Sequence, residues 1–170
     1  MEEERGQLHL TFGGSRKTSD FIVDSLKDGW DEVLAERQVA MTRLQLKVDN
    51  GPESSSVRTQ FLKRMVEFAD DTGKIIQWLY HPPCHGKYDP IERCWGVLEP
   101  HWNGTTLVDT KTLLAWARGM TWKGIRPIVI LRRTTYRKGV SLSKKAMREI
   151  EARLERNPLL PKWDLLIRPV

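Results

Sequence analysis

The chain has 170 residues, 39% hydrophobic and 29% charged, with seven tryptophans and a net charge of +6. That length and apolar fraction suit a domain with a real core and exclude a disordered composition. No apolar run approaches the roughly 20 residues of a membrane helix, the acidic opening "MEEERGQ" is unlike a secretory signal, and two cysteines give no disulfide framework, so the expected compartment is a reducing cytoplasm.

"LHLTF" (8–12) alternates as a half-buried strand does, and "GGSRK" turns the chain. Thr18 or Ser19 caps a helix that carries Phe21, Ile22, Leu26, Trp30, Val33 and Leu34 at helical spacing. "RLQLKV" (43–48) is a second strand, ending in "DNGPE". After Pro52 and "ESSS" comes a helix bearing Val57, Phe61, Leu62, Met65, Val66 and Phe68, which "DDTG" ends. "KIIQWLY" (74–80) is a third strand, and "HPPCHGKYD" is a loop because its prolines break any ladder. Helices follow from Pro90 to about His101 and over roughly 110–119. "PIVILRRTTY" (127–136) is strand-like, "SLSKKAMREIEARLERN" (141–157) is helical with Ser141 or Ser143 as cap, and "PLLPKWDLLIRPV" is an extended tail. The alternation of strands and helices predicts an α/β fold with parallel strands.

The charge is unevenly placed. Residues 123–156 carry 11 basic and 3 acidic groups, whereas residues 1–122 are slightly acidic. Such a patch suits a polyanion such as nucleic acid, the alternative being a solvated helix face with a loop.

Two acids stand out. Asp49 lies where "RLQLKV" runs out, and in open α/β sheets ligands gather beyond the carboxyl ends of strands. The competing reading is an Asp-Asn-Gly turn in which Asp49 bonds its own backbone. In "KYDPIERCWG" (87–96), Asp89 suits an N-cap, Pro90 the first helical position and Glu92 the third. There the Glu92 carboxylate either reaches back to the cap or points into a metal site. Two carboxylates brought together repel unless a cation lies between them, and Mg²⁺ or Mn²⁺ is the usual partner. Two such ions can activate water and stabilise the leaving oxygen of a phosphodiester. His81, Cys84, His85, Cys94 and His101 match no established zinc spacing. Trp78, Trp95, Trp102, Trp116 and Trp122 recur at apolar positions, which makes them core residues before they are platforms for unpaired bases.

"KVDNGPES", "HPPCHGKYDPIERCWG" and "WNGTTLVDTKTLLAWARGMTWKG" together resemble the DDE-type transposases of bacterial insertion sequences, in particular the ISAzo13-like group. "YRKGVSLSKKAMREIEARLERNPLLPKWDLLIRP" resembles the C-terminal extension of that group, so the similarity covers nearly all of the chain. The resemblance implies an α/β fold of partial ribonuclease-H-like type, a mixed sheet flanked by helices, over residues 1–122. A basic, mainly helical extension over 123–170 would pack on it. By position, Asp49 matches the second catalytic Asp and Glu92 the catalytic Glu, both as ligands of Mg²⁺ or Mn²⁺. The implied partner is DNA, and the implied setting is the nucleoid. Lys87, Arg93, Arg132, Arg133, Arg137, Lys138, Lys144 and Lys145 are the candidates for phosphate contacts.

A DDE site needs three acids, and the resemblance puts the first Asp on the first strand of a meander whose third strand "LHLTF" looks like. The acids before Asp49 are Glu2, Glu3 and Glu4 near the start, then Asp20, Asp24, Asp28, Asp31, Glu32 and Glu36 on the first helix, mostly at solvated positions. None falls on a central strand. The chain is therefore expected to be a C-terminal portion of a transposase, inactive by itself. Its exposed sheet edge would favour a homodimer. Two alternatives stay open: a non-catalytic DNA-binding or oligomerising module, and a metal-dependent nuclease unrelated to transposition.

Overall fold

A computed structural model describes residues 1–81, 89–104 and 106–170. In chain order its elements are β1 (His9–Gly13), α1 (Ser19–Asp31), α2 (Ala35–Ala40), β2 (Arg43–Val48), α3 (Thr59–Thr72) and β3 (Ile75–Tyr80). Then come α4 (Pro90–Trp102), α5 (Thr110–Gly119), β4 (Ile128–Arg132), α6 (Lys144–Glu151), β5 (Leu154–Arg156) and β6 (Asp164–Ile167). The fold is mixed α/β. Among the described residues no helix is long and apolar enough to cross a membrane. The chain forms two compact units, Met1–Ser15 with Pro83–Thr134, and Arg16–Pro82 with Thr135–Val170.

The larger unit is built on a sheet ordered β2-β3-β6-β5. β2 and β3 run parallel, with Arg43 opposite Ile75 and Val48 opposite Tyr80. β6 is antiparallel to both neighbours: Trp78 faces Leu165, and Leu154 faces Ile167. Alternation puts Ile76, Trp78 and Tyr80 of β3 and Leu165 and Ile167 of β6 on one buried face. Helix α3 covers that face with Phe61, Leu62, Met65, Val66, Phe68 and Ala69, and Val23 of α1 joins them. Phe61 meets Trp78 edge-on at 4.7 Å between ring centres. The opposite face is polar, where Gln45 bonds Gln77 at 3.1 Å and Gln77 bonds Asp164 at 3.0 Å. Gly73, at φ 65°, ends α3 in the left-handed region that "DDTG" foreshadows.

The smaller unit pairs β1 with β4 in parallel, His9 opposite Ile128 and Gly13 opposite Arg132. Leu8, Leu10, Cys94, Leu98, Ala117 and Met120 form its core. On α4, Ile91, Cys94, Leu98 and Trp102 recur at three- and four-residue steps and turn one face inward.

Four sequence expectations change. The "extended tail" is not a tail, since β6 lies inside the sheet between β3 and β5. The helix expected over 141–157 stops at Glu151, because pairing of Leu154–Arg156 with β6 overrides helix propensity there. α3 begins at Thr59, which leaves Val57 70% exposed before it. Val33 and Leu34 do not continue α1; Leu34 caps the separate α2 instead. The sheet of the larger unit is mixed, as the resemblance implies, with β2 and β3 parallel and β6 antiparallel to its neighbours.

Candidate functional site

Asp49 follows the last rung of the β2–β3 ladder. The His81 amide donates to the Val48 carbonyl at 2.9 Å, so the strand end is held up to the residue before Asp49. Asp49 itself is exposed. The loop after it is closed by Ser54, whose N–H donates to the Gly51 carbonyl at 3.1 Å and whose hydroxyl donates to the Asp49 carbonyl at 3.4 Å. A Cβ on Gly51 would stand 3.4 Å from Ser54 Oγ and 3.6 Å from Asp49 Oδ2, so the glycine lets the carboxylate lie close over the turn. It is the main chain of Asp49, not its carboxylate, that the turn engages. Burial pushes the neighbouring Tyr80 phenol well above its ordinary range, and the Asp49 charge adds to that shift.

Glu92 sits in the first turn of α4. Asp89 caps the helix, accepting from the Ile91 amide at 3.0 Å, and Pro90 opens it. With cap and first turn supplied by those two residues, the Glu92 carboxylate makes no capping bond and no ion pair among the described residues. The inward stripe of α4 leaves Glu92, Arg93 and Trp95 on the outer face. Asp49 and Glu92 belong to different units, and each is described in its own surroundings.

Most other acids are engaged. Arg64 binds Asp20 at 2.7 Å and Asp24 at 2.6 Å, and Asp24 also accepts from the Tyr136 hydroxyl at 2.8 Å. The sequence placed those two aspartates at solvated positions; instead they tie α1 to α3. Glu53 pairs with Arg58, Asp70 with Arg153, Glu151 with Arg156, and Glu155 with Arg168. Asp109 caps α5, and Asp164 accepts from Gln77 and Asn157. Asp31, Glu32, Glu36, Glu99 and Glu149 are unengaged among the described residues, but all stand on helices or at their ends. Among the described residues, Asp49 is the one unengaged acid that directly follows a strand.

The basic candidates are dispersed. Lys87 lies outside the described residues. Arg93 is exposed on α4, Arg132 is half-buried at the end of β4, and Arg133 is exposed beside it. Arg137 and Lys138 are exposed after Tyr136, while Lys144 and Lys145 are exposed in the first turn of α6. Of the zinc-type residues, Cys94 is a buried free thiol, and His101 bonds the Trp116 carbonyl at 2.9 Å. Cys84 and His85 lie outside the described residues. Trp78 is core as expected, but Trp95 is 38% exposed. Sequence reasoning missed Ser54 and Tyr80 as supports of the Asp49 loop; the one available signal was the run of serines that begins at Ser54, after the Asp-Asn-Gly-Pro-Glu stretch.

In open α/β sheets ligands gather beyond the carboxyl ends of the strands, and Asp49 follows such a strand end. Residues 1–169 match the family described as the Rhodopirellula transposase DDE domain, and the chain belongs to that family. No curated protein and no solved structure matches it. Transposases act on DNA, and DDE transposases generally use divalent metal ions. Exposed carboxylates are the hard oxygen donors that Mg²⁺ and Mn²⁺ take, so Asp49 and Glu92 each fit as ligands. Among the described residues, no group of three or more His, Cys, Asp or Glu side chains is arranged to hold a metal ion.

Proposed function

We propose that this chain supplies Asp49 and Glu92 as carboxylate ligands of Mg²⁺ or Mn²⁺ for the DNA cleavage and strand transfer of a DDE transposase. The observation that carries this reading is Asp49, an exposed acid that neither pairs nor caps, at the end of β2. When bound, such ions activate water and stabilise the leaving oxygen of a phosphodiester. The residues of the chain do the positioning. β2 presents Asp49, the Ser54 turn holds its main chain, and the first turn of α4 presents Glu92 with its cap already satisfied by Asp89.

We read the architecture as a partial ribonuclease-H-like fold, with residues 1–122 as the catalytic portion and 123–170 as the basic extension. Arg132, Arg133, Arg137, Lys138, Lys144 and Lys145 contact DNA phosphates in this reading, joined by Lys87 and Arg93 near Glu92. The setting is the bacterial nucleoid. The third carboxylate comes from outside this chain, since the strand-borne acids Glu155 and Asp164 are both engaged. A second reading is a non-catalytic DNA-binding or dimerising role. It is favoured by the basic excess of residues 123–156, which carry 11 basic against 3 acidic groups.

Nicking of supercoiled plasmid in Mn²⁺ tests the pair of readings. The expectation is that neither the chain nor Glu92→Ala nicks DNA, while both bind it and only the parent binds Mn²⁺ well. Nicking by the parent that vanishes in Glu92→Ala would keep the two acids and overturn the need for an outside third. Equal Mn²⁺ binding by both would favour the non-catalytic role.

A further inference from the structure

The loop that carries Asp49 is fastened by side chains from three other elements. Ser19, the first residue of α1, donates to the Glu53 carbonyl at 2.8 Å. Arg156, the last residue of β5, donates to the Ser56 carbonyl at 3.2 Å. Between these, the Tyr80 hydroxyl donates to the Ser54 carbonyl. Ser19, Ser54, Ser56 and Tyr80 are all buried. A connector that only had to join β2 to α3 could leave these carbonyls to water.

The middle bond has a special place. Ser54 holds the Asp49 carbonyl with its hydroxyl and the Gly51 carbonyl with its amide. Tyr80 holds Ser54 in turn, and Tyr80 is the rung partner of Val48, the residue before Asp49. The chain of contacts therefore starts and ends at the same strand end. Its ring is set by Trp78, 6.0 Å away edge-on, so the hydroxyl is aimed by packing rather than by the loop.

We propose, resting on the metal-ligand reading of Asp49 given above, that Tyr80 is a positioning residue for Asp49 and acts through Ser54. The hydroxyl fixes the Asp49 main chain against the end of β2 and thereby aims the carboxylate at a divalent cation. Tyr80→Phe removes the hydroxyl and keeps the ring. Partners that orient a metal ligand typically change metal affinity ten- to a hundredfold. Here the link runs through the main chain, which puts the expected loss near the low end, about tenfold. Tyr136→Phe is the matched control. It deletes another buried hydroxyl of the same unit, one that donates to Asp24.

The test combines Mn²⁺ titration of the full chain, read by the spin resonance of free Mn²⁺, with amide exchange over residues 49–56. Tyr80→Phe is expected to bind Mn²⁺ about tenfold more weakly and to exchange faster in that segment. Tyr136→Phe should match the parent in both, and Asp49→Asn should lose most of the binding. If Tyr80→Phe behaves like Tyr136→Phe while Asp49→Asn loses Mn²⁺, the positioning role is wrong and the metal reading stands. If Asp49→Asn binds Mn²⁺ as the parent does, the metal reading fails and the positioning role falls with it. Should Tyr80→Phe not fold, Ser54→Ala cuts the next bond of the same chain. A severalfold loss of Mn²⁺ affinity is then expected, and parental affinity would overturn the proposal.

Discussion

Leu165→Ala distinguishes a core strand from a tail. Leu159, Leu160, Leu165 and Leu166 lie within eight residues of one another, yet Leu165 is 1% exposed and Leu159 is 89% exposed. Leu165 stands opposite Trp78 on one side and Arg156 on the other, in the core with Phe61, Met65 and Ile76. Truncating it removes apolar burial and leaves a cavity in that core beside β6, a change that costs about 3 kcal/mol for a fully buried leucine. The unit that contains it has about 100 residues. For that size each kcal/mol moves Tm by about 4–8 °C, so the expected drop is roughly 12–24 °C. Leu159→Ala should change stability by less than about 0.5 kcal/mol. Urea unfolding followed by tryptophan fluorescence measures both, with the slopes compared to check that the denatured states match. Equal losses in the two variants, or a loss under about 1 kcal/mol for Leu165→Ala, would refute the placement of β6 inside the sheet.

Arg64→Ala should cost about 2 kcal/mol by leaving Asp20 and Asp24 without their cation. Arg64→Lys should recover only part of it in the same urea assay, since one ammonium cannot serve two carboxylates as a guanidinium fork does. Replacing Lys144 and Lys145 with Ala should reduce the slope of log K against log salt for DNA binding by about 2, whatever the DNA sequence. An unchanged slope in a filter-binding titration would remove α6 from the interface. Acid should destabilise the larger unit in a defined direction. The hydrogen bond from Arg153 holds the Asp70 carboxyl below its ordinary 3.8, and the one from Gln77 does the same for Asp164. Depressed folded values mean that this stability is present above 3.8 and lost as pH falls through them. Tm measured against pH should fall below that point, and Gln77→Ala should reduce the part due to Asp164.

Much of this fold could be read from local pattern. β2, β3, α4 and α5 carry clean alternation or helical spacing between strong boundaries, and Asp89, Pro90 and Gly73 mark ends by their own chemistry. β5 and β6 could not be read that way. "REIEARLER" favours helix, and only the long-range ladder to residues 164–167 makes its last part a strand. "DLLI" is too short to announce itself, and its central position depends on β3 being left with a free edge that β2 does not cover. The candidate site divides in the same way. Asp49 and Glu92 are visible from strand end and helix start, whereas the Tyr80–Ser54 link joins residues 26 apart that no spacing rule connects. The network of Asp20, Asp24, Arg64 and Tyr136 escaped for the same reason, since a helix surface charge looks solvated until another helix covers it.

The claim that Asp49 and Glu92 are metal ligands is tested most directly by Mn²⁺ binding to the full chain, read by the spin resonance of the free ion. Asp49→Asn and Glu92→Gln are compared with Glu99→Gln, an unengaged acid on the same helix as Glu92. The account predicts a loss of at least about tenfold in affinity for each of the first two and no change for Glu99→Gln. Parental Mn²⁺ affinity in the Asp49→Asn, Glu92→Gln double variant would contradict it.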